Sequence, residues 1–321
     1  TGLSISFPIA LLLFQEGGQK YILRPRWCLA FLIKNIVKYK TSIAILTELS
    51  LLLAASNPHS FLYKIISATT FSAYAFHHHA TVGTHYEMLP LWALWASVFS
   101  EGIKRISILR VLCLYSITAP GLWKLFMAGF YWGFADNIKF MNDEFAPTPW
   151  MKKVIQSIPD WVLTTLGVSG LVCEMVLPVS LLFVTDAGQL YILFWVFFLF
   201  HTMCFFLVGM FFVHHIPVYA AAMFFPIREL HWHSYIVLFG LMIIFGWKVE
   251  VWPLSFMALF PYNKKQSMEF KARFGNERRL IGMADKRDII GIPLRDSRAV
   301  DIISWALQSS VPLHPRQWEG D

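Results

Sequence analysis

Long apolar stretches broken by short polar ones dominate the chain from residue 41 to residue 261. A helix that crosses about 30 Å of hydrocarbon needs roughly 20 apolar residues. Stretches of that kind lie near 41–57, 60–79, 86–100, 106–128, 161–185, 189–213 and 234–260. They predict an all-α, polytopic membrane bundle of about seven spans. The apolar run 3–14 is too short to cross and predicts an interfacial segment. The run 211–226 is interrupted at Pro217 and predicts a re-entrant or half helix. Connectors such as Asn57-Pro58-His59 and Gly188 predict antiparallel neighbours. Residues 135–160 carry Asp136, Asp143, Glu144, Asp160 and the run Pro147-Thr148-Pro149-Trp150, which predicts one sizeable loop outside the bilayer. After Pro261 the chain turns polar. The expected organisation is a basic N-terminal segment over 1–40, a membrane domain over 41–261 and a polar tail over 262–321. Within the tail, 297–309 has helical apolar spacing behind a Ser/Asp cap signal, which suits a membrane surface or a partner.

Composition sharpens this picture. The chain is 56% hydrophobic and only 15% charged, where soluble domains average about 25% charged residues. Its 29 Phe and 13 Trp exceed what one soluble core of 321 residues can hide. Soluble enzymes and secreted disulfide scaffolds are excluded. Cys28, Cys113, Cys173 and Cys204 form no CxxC pair, so neither thiol redox chemistry nor a zinc ribbon is expected. The net charge of +7 is uneven: Lys20, Arg24, Arg26, Lys34, Lys38 and Lys40 stand together without an acid. Beside a membrane span such a segment marks the side facing anionic lipid, and no nucleic-acid reader motif accompanies it. Membrane lipid is therefore the expected partner. The sequence opens on Thr1, which fits a processed, trimmed or partial chain.

Ionisable groups at membrane depth are costly and suggest function. Lys124 lies inside VLCLYSITAPGLWKLFMAGFYWGF, just after Pro120-Gly121, a pair expected to kink the helix. A desolvated lysine loses part of its preference for the charged form and can serve as a base. The plainer reading is a snorkelling or ion-paired structural lysine. Glu174, in GLVCEMVLPVSLLF, is a candidate counter-charge, or else it caps a break at Pro178. Histidines recur at His77-His78-His79, His85, His201, His214 and His215. Their spacing lacks the several HxxxH or HxxHH boxes of a di-iron desaturase. His201 with His214 or His215 meets a bis-histidine haem spacing on one helix, and no second helix answers it. Neither metal nor haem is expected.

Three segments in order carry a family resemblance. LYSITAPGLWKLFMAGFYWGFADNIKF resembles the Tyr…Gly-x-x-Lys-Leu…Trp-x-x-Gly signature of vitamin K-dependent γ-glutamyl carboxylases. It is also similar to the wider horizontally transferred transmembrane (HTTM) domain superfamily, with Tyr115, Gly121, Lys124, Leu125, Trp132 and Gly133 in the matching places. FHTMCFFLVGMFFVHHIPVYAAAMFFP resembles the family's His…Gly-Met-Phe helix, with His201, Gly209, Met210 and Phe211 aligned. GTHYEMLPLWALWASVF is similar to the stretch around an active-site histidine and places His85 there. The resemblance implies a membrane bundle with Lys124 as the base that deprotonates a reduced, vitamin K-like quinone, and His85 as a polar stabiliser. Trp123, Trp132, His201 and Glu174 would line the quinone site. Trp123 replaces a second lysine of the carboxylases, and a tail of about 60 residues replaces their large lumenal region, so protein γ-carboxylation itself is not implied.

Two functions follow as expectations. One is quinol- or lipid-directed chemistry in an intramembrane pocket, with Lys124 as base. The other is a non-catalytic accessory subunit of an organellar energy-converting membrane complex, with the 262–321 tail lying on neighbouring subunits. The expected location is an organellar inner membrane (mitochondrial or plastid) or the endoplasmic reticulum.

Overall fold

A computed structural model of the chain describes residues 39–82, 87–146, 148–208 and 212–247 and the residue pairs 250–251 and 254–255. The N-terminal segment, His85, residues 209–211 and the 262–321 tail with its expected helix at 297–309 lie outside the described residues. The architecture is that of an all-helical integral membrane protein. Its helices are α1 (Lys40–Ser56), α2 (Phe61–Val82), α3 (Met88–Phe99), α4 (Gly102–Ala128), α5 (Ala135–Phe145), α6 (Pro149–Ser157), α7 (Asp160–Val176), α8 (Ala187–Val208), α9 (Ile216–Met223) and α10 (Trp232–Gly246). Short 3-10 turns occupy Gly129–Gly133, Leu177–Leu182 and Val213–His215. A two-residue antiparallel ladder pairs β1 (Glu250–Val251) with β2 (Leu254–Ser255).

Among the described residues, three stretches are long and apolar enough to cross a membrane: Gly102–Phe126, Asp160–Leu182 and Ala187–Leu207. Seven spans are not seen at that standard. Helices α1, α3 and α10 are apolar but short; the 12 residues of α3 rise only about 18 Å. The segment read as one loop, 135–160, instead holds α5 and α6. Their helicity has local causes: Thr148 caps α6 by accepting from the Met151 amide at 3.3 Å, with Pro149 in the first turn. Pro217 does not break a helix. It sits at the start of α9, where the missing N–H costs nothing.

The chain divides into two compact units. The first comprises the described residues of 39–116, 179–198 and 212–255. In it, α1 and α2 pack through small residues, with Ala44 and Ala68 fully buried. The Thr47 hydroxyl donates to the Thr70 carbonyl at 3.1 Å, and the Ser50 and Thr70 hydroxyls lie 2.6 Å apart. Trp95 of α3 donates its indole N–H to Ser72 of α2 at 3.0 Å. Arg110 of α4 is almost wholly buried and serves carbonyls rather than a carboxylate. It donates to Ala222 at 3.2 Å and Phe225 at 3.5 Å, at the end of α9, and to Val184 at 2.8 Å. A cation there satisfies the orphan carbonyls and opposes the helix dipole.

The second unit comprises the described residues of 117–178 and 199–208. Its core gathers Ala135, Ile138, Ile155 and Leu163. The turn Gly129–Gly133 lies backbone against backbone on α7: a Cβ at Gly133 would stand 2.6 Å from the Gly167 carbonyl carbon. The Ala135 amide donates to Thr164 of α7 at 3.0 Å, and Asn137 donates to the Trp132 carbonyl at 2.8 Å. Together these bonds hold the turn, and with it Trp132, against α7.

Candidate functional site

The second half of α4 carries Lys124, and α7 carries Glu174. Both side chains are buried, at 7% and 8% exposure. The Lys124 ammonium donates to Glu174 Oε1 at 2.6 Å and to Oε2 at 2.8 Å. Backbone geometry explains why the two meet. At Gly121, one turn before Lys124, an added Cβ would fall 2.8 Å from the Glu174 Cβ and 3.2 Å from its Oε2. The missing side chain at Gly121 is what lets the carboxylate lie against α4. Pro178 acts from the other side. It cannot donate to the carbonyl of residue 174, so α7 ends at Val176 and tightens into the 3-10 turn Leu177–Leu182.

An aromatic ring completes the surroundings of the amine. The Lys124 nitrogen sits 4.2 Å from the centre of the Trp132 ring, an arrangement in which the ring quadrupole favours the ammonium over the neutral amine. Trp132 is buried at 8% exposure and is placed by the turn that Gly129, with φ of +59°, initiates. On α8, buried His201 and partly buried Cys204 lie near enough to interact electrostatically with Lys124. His201 packs edge-on against Phe200.

Of the residues singled out from the sequence, Lys124, Glu174, Trp132 and His201 therefore come together in the second unit. Trp123 is buried at 4% exposure but projects about 100° around α4 from its neighbour Lys124. His85 lies outside the described residues, so its place relative to the lysine is not defined. In the sequence Gly121 is only one position of a motif; its structural role is visible only once α7 is in place. Among the described residues no group of three or more His, Cys, Asp or Glu side chains is arranged to hold a metal ion.

The arrangement can hold one proton between an amine and a carboxylate out of contact with water. It can also lock two helices by charge. No family model, curated protein or solved structure matches the chain, so its fold and site rest on this geometry.

Proposed function

We propose that the chain is a membrane-embedded scaffold in which the Lys124–Glu174 pair is a permanent clasp, the role of an accessory subunit of an organellar membrane complex. The carrying observation is closure of both carboxylate oxygens on one buried amine. An amine closed on both oxygens of a carboxylate and lying on an indole face has its donors and its charge already engaged. A resting general base needs the opposite. In this reading α1, α2, α3 and α10 join the three long apolar stretches as further crossings of a seven-span, HTTM-like bundle. The 262–321 tail is the arm that meets neighbouring subunits, and the expected membrane is that of a mitochondrion or plastid.

The second reading is quinol- or lipid-directed catalysis with Lys124 as base and His85 as stabiliser. What favours it is the aromatic ring and His201 beside the pair. In a low-dielectric site the proton can pass from nitrogen to carboxylate oxygen, leaving a neutral amine beside a neutral acid. That amine could then deprotonate a flat, weakly acidic hydroquinone.

One experiment separates the two. Lys124→Met, Glu174→Gln and the double substitution are expressed at full length, and assembled protein is measured together with oxidation of an added naphthohydroquinone. Loss of assembly in each single variant, with recovery in the double, supports the clasp. Normal assembly of Lys124→Met with loss of a quinol-dependent reaction overturns it in favour of the base.

A further inference from the structure

The first unit contains a cavity of about 510 Å³ that the Lys124–Glu174 site does not touch. One wall is a single face of α3, running from Glu87 through Pro90 and Ala93 to Ser97. At 1.5 Å per residue that face is about 15 Å long. The opposite wall is α9, through Val218 and Ala221, with Phe225 just beyond its end. The lining is overwhelmingly apolar, and its volume is in the range of about 300–1,000 Å³ typical of small-molecule sites.

Its polar groups are not evenly placed. Glu87 stands at the start of α3, and Tyr74 of α2 is close enough to feel its charge. Arg105 stands in the first turn of α4, just beyond the other end of α3. The Arg105 Nε–H donates to the Ser100 carbonyl at 3.1 Å, which fixes the guanidinium plane. Its two terminal amino groups make no hydrogen bond among the described residues. Glu101 lies near enough to feel the Arg105 charge, but its carboxylate is hydrogen-bonded to Lys64 at 2.8 Å, and that bond is the main cause holding it below the usual carboxylate range. A guanidinium anchored through Nε and open at both terminal nitrogens is shaped for an oxyanion held bidentately. The N-terminal end of the 27-residue α4 adds favourable partial charge at the same place.

We infer that this cavity binds a single-chain amphiphile with an anionic head. The carboxylate or phosphate is held by Arg105, and the alkyl chain lies between α3 and α9. The opposed charges at the two ends set the direction: the head goes to Arg105 and away from Glu87. Fatty acids and lysophospholipids share this chemistry, and the test distinguishes them.

The full chain is reconstituted in phosphatidylcholine nanodiscs and photolabelled with a diazirine-bearing palmitate, and separately with the corresponding lysophosphatidate. Labelled peptides are mapped by mass spectrometry. Cross-links should fall within 88–99 and 216–225. Arg105→Gln, which keeps most of the packing, should cut labelling about tenfold, whereas Lys152→Gln in the second unit should leave it unchanged. Ala93→Phe and Ala221→Phe, on opposite walls, should each abolish it. Labelling by palmitate alone identifies a free fatty acid as the guest, and labelling by lysophosphatidate alone identifies a phospholipid product. Hexadecanol competing as well as palmitate would overturn the role of the anionic head. So would undiminished labelling in Arg105→Gln, which decides the matter even if both filled variants fail to assemble. Cross-links spread over the outward faces of α8 and α10 would overturn the cavity as the site.

Discussion

Replacing Lys124 by Met keeps an apolar stem of similar length and removes only the charge, which isolates what the ammonium does for Glu174. Both side chains are less than a tenth exposed, so water screens their interaction little. With an effective dielectric constant near 20, unit charges 2.6 Å apart attract by about 6 kcal/mol. Desolvation of two ions costs several kcal/mol each, so the intact pair adds little net stability. Its loss on one side is a different matter. A carboxylate stranded against α4 costs about 3–5 kcal/mol, or roughly a 100- to 5,000-fold shift towards the misassembled state. The lost contact with Trp132 adds about 0.5–2 kcal/mol. Glu174→Gln should cost a comparable amount by stranding the ammonium. The double variant, with neither charge, should be more stable than either single one. The assay is a double-mutant cycle on thermal unfolding in a mild detergent, read beside the yield of monodisperse protein. A coupling energy below about 0.5 kcal/mol, or two single variants as stable as the wild type, would refute the reasoning.

Gly121→Ala should destabilise by about 1–3 kcal/mol, because its Cβ meets Glu174 at 2.8 Å; detergent melting curves measure it. Gly133→Ala should do at least as much harm, since it strikes the α7 backbone, whereas Gly170→Ala, with nothing within 4 Å, should be neutral or stabilising by up to about 1 kcal/mol. Arg110→Met should leave buried carbonyls of residues 184, 222 and 225 without their donor, costing about 1–3 kcal/mol for each one left unsatisfied. Slower-exchanging amides at the end of α9 should then lose protection in hydrogen-exchange mass spectrometry. The Lys64 ion pair lowers the carboxyl pKa of the exposed Glu101, so its small stabilisation is complete above the ordinary carboxylate pKa. It is lost as pH falls through the lowered value, a slope that Glu101→Gln and high salt should both flatten in acid unfolding curves.

The apolar pattern located most of the helices because hydrocarbon leaves a chain little choice. Only a helix satisfies its own backbone, and α4, α7 and α8 lie where long apolar runs predict them. It overestimated the reach of shorter runs. The stretch 86–100 gave a helix that stops at Phe99, just before Gly102 takes a φ of +52°, a backbone requirement that hydropathy does not register. Similarly, the stretch 234–260 ends as a helix at Gly246. In 135–160 the charges suggested a loop, yet charged residues on one side of a short helix are compatible with Ile138 and Ile155 packing on Leu163 from the other. A Pro at a helix start and a Pro within one look alike in a sequence, which is why Pro217 read as a break.

Lys124 was conspicuous because a cation in an apolar run stands out, and Glu174 because an acid does. Their relation was not readable to the same degree, since 50 residues separate them. Whether an amine is a base or half of a clasp depends on what faces it across a helix interface, and at this interface the deciding residue has no side chain. Any larger residue at position 121 would press on Glu174 and loosen its closure on the lysine. Gly121 therefore decides whether Lys124 and Glu174 can meet as closely as they do. A chain carrying the same lysine beside a bulkier residue at this position would lack this clasp at the same place in its fold.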